Sequence, residues 1–501
     1  LLGAPLSISN RDLRIAGGYP ACGAPTPSAK STLRADFSGD PVVSVFGDVV
    51  GALGLELRDL LITAGDNPTG NGGGLRITGL GQVDLVAVDV DGNLADFGGG
   101  IFVQALLGGP LSVNLLGGTR IGIDGGDGNS AESGGGAYCW SARMRLGQAD
   151  IMSNTASGLG GGLFSDTCEV FSTDAEGDLR IESNQARNGA GIYASGASQL
   201  ILRARPQQRI SISRNEAVLG AAPRRGGGVS LAGTDTRFEA SGLRIDDNIA
   251  RDFAGGMFVA GAEVILDRGV DSCAPSDLAC SSLSGNQVLD ETGALSGFAA
   301  VAFVAGGGTP LLSIGQTRIV GNAAQTDILR TGDSAALELS NVLMAANQTN
   351  SNLIRNGSDA TVKADFLTVA DNLFTGVLFQ NESTAPLALD VKRSILLVEA
   401  GGSHLSGAGT TAFSCLNTGP GGALGGSDHD AGFFDASNGL YLLRSDSANL
   451  DQCAIDGTET SFDLAGRPRI VDRPGVPDGA GPIDRGAFED VEDLFSDRFE
   501  D

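Results

Sequence analysis

The sequence predicts an all-β fold, a single-stranded right-handed parallel β-helix with a C-terminal capping region. Three observations predict it. Glycine supplies 77 of 501 residues, about twice the usual share of roughly 7%. A punctuation phrase of Asn, a few polar residues, a Gly cluster and an apolar residue recurs along the chain. Between these marks the text alternates apolar and polar residues over four to six positions, as in QLILRA, RISISRN and LRIDDN. Such alternation, broken by Gly, Asn and Asp, reads as short strands, and no segment sustains a helical period with caps.

The repeat justifies the coil. Its copies read NLADFGGGIF from Asn93, NSAESGGGAY from Asn129, NTASGLGGGLF from Asn154 and NQARNGAGIY from Asn184. Further copies follow from Asn215 and Asn248, and degenerate ones from Asn286, Asn322, Asn347 and Asn372, at intervals of 25 to 38 residues. A fixed mark at an irregular period means a solenoid whose loops vary in length. One coil cannot bury its inner face, whereas stacked coils share a continuous core. Gly at the corners permits positive φ and close backbone approach. The Asn amides are placed to bond to the Asn of the next coil as a ladder. Some 15 to 18 coils at about 4.8 Å each give an expected rod of roughly 70 to 90 Å.

These phrases resemble the repeats of chlamydial-type polymorphic outer-membrane proteins and related bacterial right-handed β-helix adhesins. ISNRDLRIAGGYPACG from Ile8 resembles the first coils of such proteins, and the likeness covers residues 7 to 384. Four C-terminal segments in order, VKRSILL, LRSDSANLD, FDLAGRPRIVD and IDRGAFE, resemble the choice-of-anchor Q domain, a terminal module of secreted bacterial β-helix proteins. The stretch Ser447-Ala448-Asn449-Leu450-Asp451 lacks the Pro of that family's pattern. The resemblance divides the chain into β-helix repeats over 1–384, terminal coils and cap over 385–489, and an acidic tail over 490–501. It implies a secreted or outer-cell-surface location and an adhesin-like role.

Charge and cysteine bound the partners. With 60 acidic and 33 basic residues the net charge is −27, which disfavours nucleic acid and anionic membrane surface. The uncharged run Thr292–Thr317 carries GGGTP at its middle and reads as two buried strands and a turn rather than a membrane span. The start at Leu1 shows no basic or apolar leader, so either a signal peptide has been removed or the numbering begins inside a precursor. Seven Cys without a CxxC motif read as disulfides of an oxidising compartment or as buried thiols. The candidate pairs are Cys139 with Cys168, Cys273 with Cys280, and Cys415 with Cys453, leaving Cys22 over.

Site chemistry is sparse. The chain has two His, His404 and His429, little raw material for zinc or His-based acid/base work. No Gly-His-Gly or Asn-Thr-Asp phrase of the polygalacturonase type occurs. Asp246-Asp247 is the one carboxylate doublet inside a repeat copy, though adjacent strand positions face opposite ways. Asp124, Asp127, Asn129 and Glu132, and separately Asp89, Asp91 and Asn93, form oxygen-rich turns suited to calcium, though ordinary turn chemistry is the simpler explanation of both. Asp428-His429-Asp430 reads as an exposed loop. Arg224-Arg225, in the insertion Ala221–Arg225, is a small basic spot that reads as a loop charge or as a dock for a partner's carboxylates.

The expected function is that of a secreted or surface-displayed structural, adhesin-like β-helix without catalytic residues and with no cofactor other than calcium. Its expected partners are a surface glycan or protein and further copies of itself, joined head-to-tail into a filament through the β-helix ends. The alternatives are a β-helix polysaccharide lyase or hydrolase and a calcium-dependent glycan-binding module. Three or more Asp, Glu or Arg side chains stacked along one lateral groove are the feature that favours the enzyme.

Overall fold

A computed structural model describes residues 2–20, 27–48, 53–106, 109–172, 177–206, 208–268, 281–306, 308, 310–399, 402–471 and 479–489. The chain winds as a right-handed-type parallel β-solenoid of about 12 turns. A full turn visits four parallel sheets in the same order, the first and last turns lacking a strand in the fourth. Sheet 1 runs from Leu6–Ser9 to Ser403–Ser406 and sheet 2 from Asp12–Ala16 to Thr411–Ser414, each with 14 strands. Sheet 3 runs from Ser31–Arg34 to Ile395–Leu396 with 13 strands, and sheet 4 from Asp66–Asn71 to Leu373–Phe374 with 11. Fourteen rungs give a rod of about 60 Å, shorter than the repeat count implies. The reason is that the residues after Cys415 fold back along the rod instead of adding full coils.

Period-two patterning turns directly into burial. In Arg237–Ser241 the residues Phe238 and Ala240 point into the core while their neighbours stay half-buried. Val, Ile, Leu and Ala from sheets 1, 2 and 3 make one continuous core from Ile8 to Leu416. Each fully buried Leu, Ile or Phe contributes about 1.5–3 kcal/mol. The run Thr292–Thr317 supplies strands Ala302–Ala305 and Leu311–Gly315 to sheets 1 and 2. No helix among the described residues is long and apolar enough to cross a membrane.

Two corners carry the repeat phrase. Between sheets 3 and 4 the Asn side chains form a ladder. Each Nδ2 donates to the Oδ1 of the Asn one coil on, from Asn93 through Asn129, Asn154, Asn184, Asn215, Asn248, Asn286, Asn322 and Asn347 to Asn372, at 2.8–3.1 Å. The same Oδ1 accepts the preceding Asn's backbone N–H, as Asn184 does from Asn154 at 3.0 Å. Between sheets 4 and 1 the Gly cluster makes the turn. Gly134 has φ +66°, and a Cβ on Gly135 would lie 2.5 Å from the Thr155 carbonyl oxygen. Any side chain there would force the coils apart.

Two disulfides join described residues. Cys139–Cys168 links adjacent coils with 6.2 Å between Cα atoms. Cys415–Cys453 ties the fold-back segment to the last coil. Cys22, Cys273, Cys280 and the tail 490–501 lie outside the described residues.

The fold-back segment covers the end of sheet 3. Tyr441, Leu442, Leu464, Ala465, Ala487 and Phe488 pack on Leu343, Ala345 and Ala370. Its contacts reach back to Arg268, whose Nη1 donates to the Leu464 carbonyl at 2.6 Å. Two arginines fasten it. Arg469, fully buried, donates to Gly486 O, Ala487 O, Glu489 Oε2 and Asn341 Oδ1, and its guanidinium lies 4.0 Å from the Phe366 ring centroid. Arg393, on the coil, lies 4.7 Å from the same ring centroid and pairs with Asp365, Asp456 and Glu459. Arg393 of VKRSILL, Arg469 of GRPR and Glu489 of IDRGAFE therefore meet in one fastening cluster.

Candidate functional site

Two lateral faces carry the side chains with chemistry. The first is the outer face of sheet 3. Register places Asp89, Arg120, Asp150, Arg180, Ser211, Arg244, Ser282 and Arg318 in one column. The neighbouring column holds Glu182, Ser213, Asp246 and Ser284. This is the stacked groove of Asp, Glu and Arg named above as favouring an enzyme, and its groups are largely spoken for. Asp89 is gripped by Lys30 and by both Nε and Nη2 of Arg120, and Asp150 by Arg180 in the same two-pronged manner. Glu182 accepts from Ser211, Ser213 and Arg214.

Asp246 is the exception on this face. Burial pushes its carboxyl up to about 6 and nearby Asp247 adds to the rise, against the hydrogen bonds donated by Ser282 Oγ and the Ser284 N–H. Asp247 leaves the strand at φ +57°. Glu182 stands two rungs from Asp246 on the same column, a strand-to-strand spacing of about 10 Å. That is just beyond the range used by inverting glycosidases.

The second face is sheet 1 with its corner to sheet 4. Phe102, Tyr138, Phe164, Tyr193, Ser230, Phe258, Phe303, Arg330 and Arg355 succeed one another in one outward column. Tyr138 and Phe164 stack at 4.5 Å and 10° between ring planes, Phe164 and Tyr193 at 5.2 Å and 15°. Phe253 and Phe298 add a second stack at the corner, 4.9 Å apart. Arg330 lies 4.3 Å from the Phe298 centroid and Arg225 4.4 Å from the Phe258 centroid. Burial, with Asp166 nearby, raises the Tyr138 phenol to about 12. On the outward column beside it Trp140 is 43% exposed.

The sequence candidates distribute as follows. Asn129 sits in the ladder with its oxygen occupied by Asn93, while Asp124, Asp127 and Glu132 are exposed around it. Asp91 Oδ1 accepts the N–H groups of Ile123 and Gly128 and so closes the turn. No group of three or more His, Cys, Asp or Glu arranged to hold a metal occurs among the described residues. His429 is 57% exposed in its side chain and 3.8 Å from Asp428. The doublet Arg224-Arg225 divides. Arg224 pairs with Asp252 and Glu291 in an open pocket also lined by Arg251 and Asp290, whereas Arg225 stacks on rings.

The stacked column escaped the sequence reading, although its signal stood inside the repeat. The residue after each GGG-apolar unit is aromatic at Phe102, Tyr138, Phe164, Tyr193 and Phe258. The charge columns of sheet 3 had no such mark, because coils of 25 to 38 residues hide which side chains share a face. Comparison with protein-family models, curated proteins and solved structures gave no match.

Proposed function

We propose that this chain is a secreted, surface-displayed, adhesin-like β-helix that acts by presenting a lateral face to a ligand rather than by turning one over. The observation that carries this is the aromatic and arginine column of sheet 1, interrupted at Ser230, in which Tyr138, Tyr193, Phe303, Arg330 and Arg355 are half-buried and reach the surface while Phe102, Phe164 and Phe258 are buried. The disulfides Cys139–Cys168 and Cys415–Cys453 favour an oxidising compartment outside the cytoplasm.

Head-to-tail assembly belongs to the same proposal. The strands of the first coil pair on one side only, and Leu2, Leu6, Ile15, Leu33 and Phe37 close that end of the core incompletely. Phe374, Val398, Leu405, Phe413 and Leu424 are equally half-covered at the other end. Apolar ends with open strand edges favour stacking of copies, and contacts that do not close give filaments. Electron microscopy across a concentration series, with and without chelator, tests this. Filaments one molecule wide are expected, and isolated rods at every concentration would sink assembly. Loss of filaments or of glycan binding in chelator would assign calcium a role at the oxygen-rich turns.

A polysaccharide hydrolase is the second reading, favoured by Asp246 and Glu182 on one column. Its test is release of reducing ends from neutral and acidic polysaccharides. Turnover that Asp246→Asn and Glu182→Gln both abolish would replace the presenting role with catalysis.

A further inference from the structure

The aromatic column of sheet 1 is interrupted once, at a serine that is itself buried. Between Tyr193 and Phe258 the register position belongs to Ser230, so the rings stand two rungs, about 10 Å, apart instead of one. Arg225 belongs to the same coil as Ser230 and lies against this gap. Its guanidinium is 4.4 Å from the Phe258 centroid and 5.7 Å from that of Phe253. A guanidinium stacked on a ring keeps its N–H groups in its own plane, directed sideways and available.

Arg225 has no carboxylate or other side-chain hydrogen-bond partner among the described residues. Its backbone N–H goes to Asn188 Oδ1 at 3.2 Å. Burial and the neighbouring Arg187 make its charge harder to hold, with the Tyr193 phenol acting in the opposite sense. Arg187 itself carries a buried Nε with no hydrogen-bond partner among the described residues. Two half-buried cations thus lie near one another without a carboxylate partner among the described residues, in a chain of net charge −27. Elsewhere Arg120, Arg180, Arg214, Arg393 and Arg469 each face a carboxylate. Leaving two such groups unpaired is costly unless an outside anion completes them.

From this we infer that Arg225 and Arg187 form a binding site for the carboxylate of an acidic sugar that ends or branches an otherwise neutral glycan. The inference rests on the reading of the chain as a ligand-presenting protein and names the ligand class. Bidentate capture of a planar carboxylate suits the guanidinium fork. The net charge disfavours a polyanion, whose repeated charges meet the acidic surface on either side, and favours a single acidic unit. A sugar rather than a peptide fits because the column continues as Tyr193 and Tyr138 and the neighbouring column presents Trp140. The path from Arg225 to Trp140 crosses three rungs, roughly 14 Å, enough for a short oligosaccharide lying on amphipathic rings.

Trp140 is the sole tryptophan of the chain, so its emission reports this face. The experiment titrates the full chain by calorimetry with D-glucuronate, D-glucose, inorganic sulfate and triglutamate. A glucuronate-terminated trisaccharide is then followed by Trp140 fluorescence. Glucuronate is expected to bind at least about tenfold more tightly than the other three, and the trisaccharide to shift Trp140 emission. Arg225→Gln and Arg187→Gln should each weaken glucuronate binding about tenfold, while Trp140→Phe spares glucuronate and weakens the trisaccharide. Because Arg225→Gln could loosen the ring stack, Arg187→Gln at an unchanged unfolding midpoint is the decisive variant. Equal binding of glucose and glucuronate, tighter binding of sulfate or triglutamate, or wild-type affinity in Arg187→Gln would overturn the proposal. If the chain still captures neutral glycans in that case, the presenting role stands without this site. If it captures none, both readings fail.

Discussion

The outer faces of sheets 1 and 3 are built on the same coils yet differ in how fully their charges are paired. On sheet 3 Asp89, Asp150 and Glu182 each have an arginine or serine beside them one rung away. On sheet 1 Arg330 and Arg355 pair with Asp327 and Glu382, whereas Arg225, at the corner, lies on a ring and meets no acid among the described residues. A solenoid repeats its backbone so regularly that a side chain always has a partner 4.8 Å away if the sequence supplies one. Where the sequence supplies it, the charge serves the rod. Where it withholds it, the charge is left for something else.

The covered end of sheet 3 should break first. Arg469→Met strips the donor from Asn341 Oδ1, Glu489 Oε2 and the Gly486 and Ala487 carbonyls, and several buried acceptors left unmet are expected to cost about 3–5 kcal/mol. Limited proteolysis should then cut within 418–489 while the coils survive, and a variant as resistant as wild type would deny the fastening role.

Asp246 sharpens the contrast within sheet 3, since it alone there is held well above the ordinary carboxylate range. The folded state binds this proton more tightly than the unfolded chain. Its contribution is thus fully present at acid pH, below the ordinary carboxylate value, and is lost as pH rises through about 6. Asp246→Asn should therefore raise stability at pH 8 by about 2–3 kcal/mol and gain nothing at pH 3.5. Urea unfolding at the two pH values checks this, and a destabilised variant at pH 8 would show that the carboxylate is held charged.

The ladder supports both faces alike. Asn184→Ala removes the acceptor for Asn154 and the donor to Asn215, and unfolding in urea should register a cost of about 2 kcal/mol. The smallest effect belongs to the exposed ion pair of sheet 3. Arg180→Ala should cost less than about 1 kcal/mol and less still in high salt. A larger loss would mean that the charge column carries the rod.

How far the sequence could be read follows from distance along the chain. Asn154 and Gly160–Gly162 announce their corners because each acts within one turn, and alternation in Arg237–Ser241 reveals an inner face without knowledge of its neighbours. The Asp150–Arg180 pair needs the register across a 30-residue interval, which loop length sets and composition conceals. Arg469 was legible only as part of a motif, since its partners Asn341 and Phe366 lie more than a hundred residues earlier. Arg225 was noticed as a basic spot, but its isolation from Arg224 depends on Asp252, Glu291 and Phe258, brought near by two later coils.

The most direct test sets the two faces against each other in one assay, a glycan-array profile of the wild type, Arg225→Gln and Asp246→Asn. The account predicts that wild type and Asp246→Asn retain the same glycans, sharing a single acidic sugar, and that Arg225→Gln loses them. Retention by Arg225→Gln with loss by Asp246→Asn would contradict it and place the function on sheet 3.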